Sequence, residues 1–185
     1  MHSFRLLMVL CIGCGSCASD DKPDVAESKA ELRCVAGTVE PDLDMTPMGG
    51  SALDAESGTY KLQGGEQVTV SSTYGIPKAG LDDVQSSAQY QELMGRIIAQ
   101  LQTQPGLLAL QLGTSDSCGS GRTLAVWESE DAMYEFVTSP PHMEAMTNVH
   151  DLVKPGYAVT HWSASKPEQL SIQEAVVHLK DAVRP

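Results

Sequence analysis

Two overlapping cysteine pairs near the start of the chain have the spacing of redox-active thiols. Cys11 and Cys14 form one C-x-x-C motif, and Cys14 and Cys17 form a second. The motif draws its chemistry from a helix N-terminus that follows a strand, because that position lowers the pKa of a thiol. No strand–helix pattern surrounds these cysteines. The spacing is therefore only a weak indication of redox chemistry.

The segment around these cysteines has instead the features of an export signal. Arg5 precedes an apolar run at residues 6–12. The run is far shorter than the roughly 20 residues of a membrane-spanning helix, and it suits the core of a signal peptide. Ile12-Gly13-Cys14 resembles a bacterial lipobox, although Cys11 stands where Leu is usual. We predict a lipoprotein signal peptide, and ordinary secretion is the alternative.

The lipobox resemblance implies a lipid anchor and a location. Residues 1–17 hold the expected signal peptide and lipobox, with Cys14 as the lipidated residue and Cys17 as the alternative. The expected partner is a membrane, reached through the anchor, and the expected location is the cell envelope. The domain then lies in the periplasm or at the cell surface. Gly15 is not the Asp associated with inner-membrane retention, so the outer membrane is favoured.

Export would place the two remaining cysteines in an oxidising compartment. Cys34 and Cys118 are far apart in the sequence, and a disulfide between them would persist there. Such a bond closes a long loop and stabilises the fold by about 3–5 kcal/mol in the chain-entropy model. We predict this disulfide, and two independent free thiols are the alternative.

Charge and spacing argue against several classes of function. Twelve Lys and Arg against 24 Asp and Glu give a net charge of −12, so the clustered bases that bind nucleic acid are not expected. His142, His150 and His161 lack the close helical pairing that places two metal ligands on one face, so no metal is expected. Residues 113–121 lack the Gly-Lys-Ser/Thr ending of a phosphate loop. We expect no cofactor.

Hydrophobic periodicity predicts where the strands and helices of the domain lie in the sequence. Strand alternation or a compact apolar run predicts strands at residues 67–74, 107–113, 122–127 and 157–163. Helical spacing and capping residues predict helices over 90–101, after Ser129, from Ser139 to about Asn148, and over 172–183. The order β-α-β-β-α-β is typical of an α+β, ferredoxin-like antiparallel sheet with helices on one face. A second copy of the chain is the simplest cover for the other face.

Composition and periodicity divide the rest of the chain into three regions. Residues 18–65 carry ten acids and four bases without sustained apolar periodicity, and we predict that they form a flexible acidic spacer. Residues 66–164 hold the ferredoxin-like domain. Residues 165–185 form a C-terminal helical extension.

Part of the domain resembles the antibiotic biosynthesis monooxygenase-like (ABM) family. The similarity lies in a strand ending in Val-Trp-Glu, a helix opening on Ser-Glu-Asp-Ala, and a preceding Gln-Pro-Gly-Leu, with the matching residues at 123–133, 136–139, 142–146 and 104–107. It extends over about residues 66–164. The resemblance implies a dimeric α/β barrel built from two ferredoxin-like sheets, and hence a homodimer.

The family also includes haem-degrading enzymes, and this chain departs from their pattern. Phe136 stands where those enzymes have Trp, Met146 stands where they have His, and the first strand offers Ser71 and Ser72 in place of Asn. The resemblance therefore does not extend to haem degradation.

The cofactor-free oxygenases of the family imply a different set of candidates. Such chemistry needs a pocket and a group that accepts a proton near neutral pH, and His142 and His161 are the candidate catalytic residues; a purely structural role is the alternative for each. The expected pocket-lining residues are Tyr74, Trp127, Met133, Phe136, Met146 and Trp162.

Two functions follow from these observations. The first is a lipid-anchored envelope protein whose ABM-like domain binds a small molecule or assembles without catalysis. The alternative is a cofactor-independent, monooxygenase-like enzyme that acts on a small organic substrate in the pocket. We favour the first, because the sequence shows no strong catalytic set and an exported protein lacks the cytosolic supply of biosynthetic intermediates.

Overall fold

The structure is a computed structural model of the chain, and it describes residues 33–52, 54, 56, 57, 59–61, 66–78 and 88–184. The predicted signal peptide with Cys14 and Cys17 lies outside these residues. Across the described part of the chain, no helix combines the length and the apolar character that a membrane crossing requires.

Five strands and five helices form the domain as described. The strands are β1 (Asp44–Gly49), β2 (Val68–Gly75), β3 (Leu107–Ser115), β4 (Ser120–Trp127) and β5 (Ala158–Ala164). The helices are α1 (Ala88–Thr103), α2 (Glu130–Val137), α3 (Pro140–Thr147), α4 (Val149–Leu152) and α5 (Ile172–Asp181), with a 3-10 turn at Pro167–Leu170.

The strands form one antiparallel sheet in the order β1-β3-β4-β2-β5. The succession β2-α1-β3-β4-α2-β5 with the sheet order β3-β4-β2-β5 is the ferredoxin-like, split βαβ arrangement. The predicted α+β class, its βαββαβ order and the C-terminal helix are therefore confirmed.

Strand β1 is an addition to that arrangement and lies inside the region predicted to be a flexible spacer. It pairs with β3 from Asp44↔Thr114 onward, so the described residues 44–49 belong to the sheet instead of a spacer. The segment is short and contains Pro47, which a strand tolerates at a sheet edge because one side needs no ladder hydrogen bonds. Because the strand is short and contains proline, its sequence shows no clear alternation of apolar and polar residues.

The two faces of the sheet have different covers, both made by the chain. On one face, side chains from β2, β4 and β5 pack against α5, and the buried set includes Val70, Val126, Trp162, Leu170, Ala175 and Leu179. On the other face, the sheet packs against α1 and α2, and the buried set includes Leu93, Ile97, Ala125, Trp127, Met133 and Phe136. Strand alternation assigns each residue to its face.

Helix α5 removes the reason for which a second copy of the chain was predicted. That copy was expected to cover the sheet face opposite α1 and α2, and α5 already buries it. Ser171 caps α5 by accepting a hydrogen bond from the Glu174 amide at 3.2 Å. A homodimer remains our prediction, but its interface would lie away from this face.

Residues 33–43, here called the N-terminal strap, are fixed to the same face by a buried ion pair. Arg122 of β4 donates from Nε to Glu40 Oε2 at 2.8 Å, and both side chains are 0% exposed. The guanidinium also donates to the carbonyl oxygens of Val35, Ala36 and Thr38. Ser120 Oγ donates to Glu40 Oε1 at 2.6 Å. The buried charge is thereby paired and hydrogen-bonded, as burial requires.

Further contacts hold both ends of the strap. The predicted disulfide is present, joining Cys34 to Cys118 with a Cα–Cα distance of 5.4 Å. Asp42 accepts hydrogen bonds from Ser115 Oγ and from the hydroxyl and amide of Ser117. These bonds favour the charged carboxylate and hold the pKa of Asp42 well below its usual range.

We expect Glu40→Gln to destabilise the fold strongly, because it leaves the Arg122 charge buried without its counter-ion. Breaking a buried pair in this way costs about 3–5 kcal/mol. Urea unfolding of the oxidised protein measures the change. The matched control is Glu144→Gln, which removes the carboxylate from an ion pair of Arg96 and Glu144 whose side chains are 43% and 44% exposed. The control should cost less than about 1 kcal/mol, and equal effects of the two variants would contradict the expectation.

Candidate ligand pocket

A cavity of about 280 Å³ lies between the sheet and helices α1, α2 and α3. Its lining residues come from all three helices and from β2 to β5. They are Ser71, Thr73, Met94, Ile97, Ile98, Leu101, Leu110, Leu112, Thr123, Ala125, Trp127, Met133, Tyr134, Phe136, Val137, His142, Met146, Val159, Thr160 and His161. None of these is Asp, Glu, Lys or Arg. The volume is that of a site for a small molecule, somewhat below the usual range for drug-sized ligands.

The helical walls are apolar because of their residue spacing. Helix α1 presents Met94, Ile97 and Leu101 at intervals of three and four residues. In α2, Phe136 lies against Trp127 with ring centroids 5.5 Å apart and an interplanar angle of 25°. Ser129 fixes the start of α2 by accepting a hydrogen bond from the Ala132 amide at 3.1 Å.

The floor of the cavity carries hydroxyl groups. Ser71 and Thr73 of β2 and Thr123 of β4 lie on the face of the sheet that is turned toward the helices. Trp127 Nε1 donates to Ser71 Oγ at 2.9 Å. The hydroxyls of Thr73 and Thr123 share a hydrogen bond of 2.8 Å. The cavity therefore combines apolar walls with a hydrogen-bonding floor.

His142 lies in the first turn of α3 and enters the cavity as a neutral side chain. Its Nδ1 is 2.9 Å from the carbonyl oxygen of Val137. A carbonyl only accepts, so Nδ1 carries the proton and Nε2 keeps its lone pair. Burial lowers the pKa of His142, and the bond to Val137 opposes this shift in part. The edge of the ring meets Phe136 at a centroid distance of 4.8 Å. His142 is thus a proton acceptor at neutral pH.

His161 lies in a different environment, at the rim of the cavity. Its Nε2 is 3.4 Å from Glu130 Oε1, and the two side chains are 43% and 60% exposed. The ring also meets the edge of Tyr134 at 5.9 Å. Val159 on the same edge strand and Met146 of α3 are partly exposed as well. The exposed part of the lining therefore includes Tyr134, Met146, Val159 and His161.

The structure brings together six of the eight predicted site residues. His142, His161, Trp127, Met133, Phe136 and Met146 all line the cavity. Reasoning from the sequence missed the floor hydroxyls of Ser71, Thr73 and Thr123 and the rim residue Tyr134 as pocket residues. The register of β2 with β4 and β5 would have shown that these hydroxyl groups line the cavity, since partners in register share a face.

Tyr74 and Trp162 do not line this cavity, so that part of the prediction is wrong. Both lie on the opposite face of the sheet, because strand alternation turns them toward α5. The Tyr74 ring lies under the Arg122 guanidinium at 4.4 Å. Trp162 Nε1 donates to the carbonyl oxygen of Gln169 at 3.0 Å, and its ring stacks on His178 with centroids 4.5 Å apart.

The strand order and the cavity together define a ferredoxin-like α+β domain with an apolar-walled cavity between its sheet and helices. No protein-family model and no curated protein sequence matches the chain. Among solved structures, the chain is similar to Rv0793 from Mycobacterium tuberculosis, with 20% identity and a TM-score of 0.43 over 51% of this chain and 92% of that one.

Two further solved structures show the same degree of likeness. SnoaB, a cofactor-independent oxygenase from Streptomyces nogalater, is 20% identical with a TM-score of 0.39 over 55% of this chain and 93% of that one. Protein SO0527 from Shewanella oneidensis is 14% identical with a TM-score of 0.45 over 55% and 95%. At these identities and scores the likenesses carry no argument about activity. The fold assignment rests on the strand order of the chain itself.

The lowered pKa of His142 predicts a pH dependence of stability. Because the folded state disfavours the protonated ring, the unfolded chain binds this proton more readily. The contribution of His142 to the free energy of unfolding is therefore present above pH 6.5 and is lost as the pH falls below it. Urea unfolding at pH 7 and pH 5 gives the loss of unfolding free energy between the two pH values. This loss should be smaller for His142→Asn than for the unmodified protein, and the Asn amide N–H lies near the position of Nδ1. His150→Asn, at an exposed position, is the control. An unchanged pH dependence in His142→Asn would contradict the assignment.

Proposed function

We propose that the domain binds an uncharged, apolar small organic molecule in the cavity between the sheet and helices α1, α2 and α3. The observation that carries the proposal is the lining itself, which is apolar on the helical walls and free of charged side chains among the described residues. A charged ligand would lose its hydration without gaining a counter-ion there. An apolar ligand would replace water against Met, Ile, Leu and aromatic side chains.

The polar groups of the cavity narrow the class of ligand. The floor hydroxyls at Ser71, Thr73 and Thr123 can donate, and Nε2 of His142 can accept. A planar aromatic ligand that carries oxygen at its edge would satisfy both sides. Trp127 and Phe136 supply aromatic surface for such a ring system.

A second candidate is monooxygenase-like chemistry without a cofactor, and the state of His142 favours it. A neutral imidazole inside an apolar cavity can take a proton from a bound hydroxyl group. If the phenol also carries a ring CH₂ group, its electron-rich anion can react with O₂ without a reductant, because the CH₂ group becomes a carbonyl that keeps one oxygen atom and the second oxygen atom leaves as water. Incubation of the protein with such a phenol in air, followed by mass spectrometry of the small molecule, would distinguish binding alone from the replacement of two hydrogen atoms by one oxygen atom.

We expect Val159→Trp to block the cavity and to weaken binding of fluorenone, an uncharged tricyclic ketone. Val159 lies at the rim and is 40% exposed, so a larger side chain there would close the opening without overpacking the core. Equilibrium dialysis should show a loss of affinity of about tenfold or more, equivalent to about 1.4 kcal/mol.

The matched control for this experiment is Val177→Trp. Val177 lies on α5, outside the cavity, and is 60% exposed. It should bind fluorenone like the unmodified protein. Equal affinities of the two variants would show that fluorenone binds elsewhere, and an unmodified protein that does not bind it would count against the proposed function.

We further propose that this pocket belongs to a lipid-anchored envelope protein. The support is the export-type segment at residues 1–17 with the lipobox-like Ile12-Gly13-Cys14. In a bacterial host, the full chain should partition into the detergent phase and carry acyl groups at the N-terminus of the mature protein. Cys14→Ser should abolish both, whereas Cys17→Ser should leave both unchanged. The opposite pattern would place the anchor at Cys17, and an aqueous, unacylated protein would favour ordinary secretion.

A further inference from the structure

We propose that Ser71 determines ligand specificity in the pocket by donating to a carbonyl oxygen, and that Trp127 is the positioning residue that orients the Ser71 hydroxyl. The inference rests on the proposed function, because it concerns what the same cavity selects. It adds a distinction that the apolar walls cannot make, between a ligand that carries an acceptor and one of the same shape that does not.

The hydrogen bond between the Trp127 and Ser71 side chains can run in one direction only. The indole Nε1–H can only donate, and it lies 2.9 Å from Ser71 Oγ. Ser71 therefore accepts this bond with one lone pair, and its own hydrogen points elsewhere. Within the described part of the chain, Ser71 Oγ has no other hydrogen-bond partner.

The register of the sheet places Ser71 beside two other residues that line the cavity. Its register partners are Ala125 on β4 and His161 on β5, and all three line the cavity. Side chains of register partners lie on the same face, so Ser71 lies between Ala125 and His161 on the cavity floor. A ligand bound in the cavity can therefore place an acceptor atom against the Ser71 hydroxyl.

The indole that donates to Ser71 is held in place by its neighbours. Trp127 is buried and its ring lies against Phe136, which fixes the direction of Nε1–H. By contrast, the hydroxyls of Thr73 and Thr123 bond to each other, and either atom can be the donor. Ser71 alone among these three hydroxyls has its role set by a neighbour that cannot exchange donor and acceptor. Donation from Trp127 also polarises the Ser71 hydroxyl and strengthens its own donation.

The test compares fluorenone with fluorene, which share a ring skeleton and differ in a carbonyl against a methylene group. Equilibrium dialysis gives the affinity of each ligand, and the ratio of the two affinities is the readout. Ser71→Ala should lower the preference for fluorenone about fivefold, the usual effect of one hydrogen bond. Trp127→Phe keeps an aromatic ring and loses the N–H, and it should lower the ratio by about two- to fivefold. The double variant should show no further fall.

Two controls match these substitutions outside the cavity. Ser163→Ala makes the same change on the same face of the sheet, at an exposed position of β5 that does not line the cavity. Trp162→Phe removes an indole N–H on the opposite face of the sheet. Both should leave the ratio unchanged. A merely structural role of Trp127 would weaken both ligands equally and would not move the ratio.

The outcomes separate the inference from the function on which it rests. If Ser71→Ala binds both ligands with an unchanged ratio, the role of Ser71 is overturned while the pocket stands. If only Trp127→Phe leaves the ratio unchanged, the positioning role is overturned. If the unmodified protein binds neither ligand, the proposed function and this inference fail together. Ser71→Ala keeps the test decisive even where Trp127→Phe does not fold.

Discussion

The buried guanidinium of Arg122 is the interaction on which the arrangement of the domain depends. A cation without solvent contact must find its partners in the protein, and Arg122 finds them in Glu40 and in three carbonyl oxygens of the N-terminal strap. The strap therefore has to lie along this face of the sheet, where it also meets α5. Gly37 is so close to that helix that an added Cβ would be 2.8 Å from Lys180 Cβ. The Cys34–Cys118 disulfide then fixes one end of a segment whose position the charge already requires. Strap and α5 together complete a core that would otherwise be open to water.

Closing that face leaves the other one free to hold a cavity. The alternation of β2 turns Val70 and Tyr74 toward the strap and α5, and turns Ser71 and Thr73 toward the helices. One strand thus contributes both to the stabilising core and to the floor of the pocket. Small polar side chains on the floor leave space that α1 and α2 do not fill, because their apolar stripes rest on Leu110, Ala125 and Trp127. The face under the strap and α5 is thus filled by packing, whereas on the other face residues such as Ala125, Trp127 and Phe136 belong to a buried cluster and also line the cavity.

Local pattern was sufficient to predict most of the elements, and long-range pairing accounts for what it missed. Alternation and helical spacing are properties of neighbouring residues, so β2, α1, the β3–β4 hairpin and α5 were predictable. Strand β1 was not, because it is short, contains Pro47 and exists through its pairing with β3. Neither was the strap, since the partner of Glu40 lies 82 residues away. The wrong assignment of Tyr74 and Trp162 has the same origin. Both are large side chains on strands of the right domain, and only the register and the position of α5 show which face they occupy.

The two histidines show that the burial of a side chain decides what it can do as an acid or a base. Both line the cavity, but His142 lies in the first turn of α3, where burial lowers its pKa and the Val137 carbonyl holds its single proton on Nδ1. His161 lies on the edge strand, where its Nε2 faces the carboxylate of Glu130 in solvent. For the placement of a buried, neutral proton acceptor in the cavity, the position of α3 therefore matters more than the presence of a histidine. Arg96 of α1 holds that helix by donating to both carboxylate oxygens of Glu144 at 2.8 Å. This ion pair lies on the outer surface of the helices, and none of the described residues that line the cavity is Asp, Glu, Lys or Arg. Such a lining disfavours charged ligands, and under the proposed function it distinguishes uncharged ligands by the placement of their oxygen atoms.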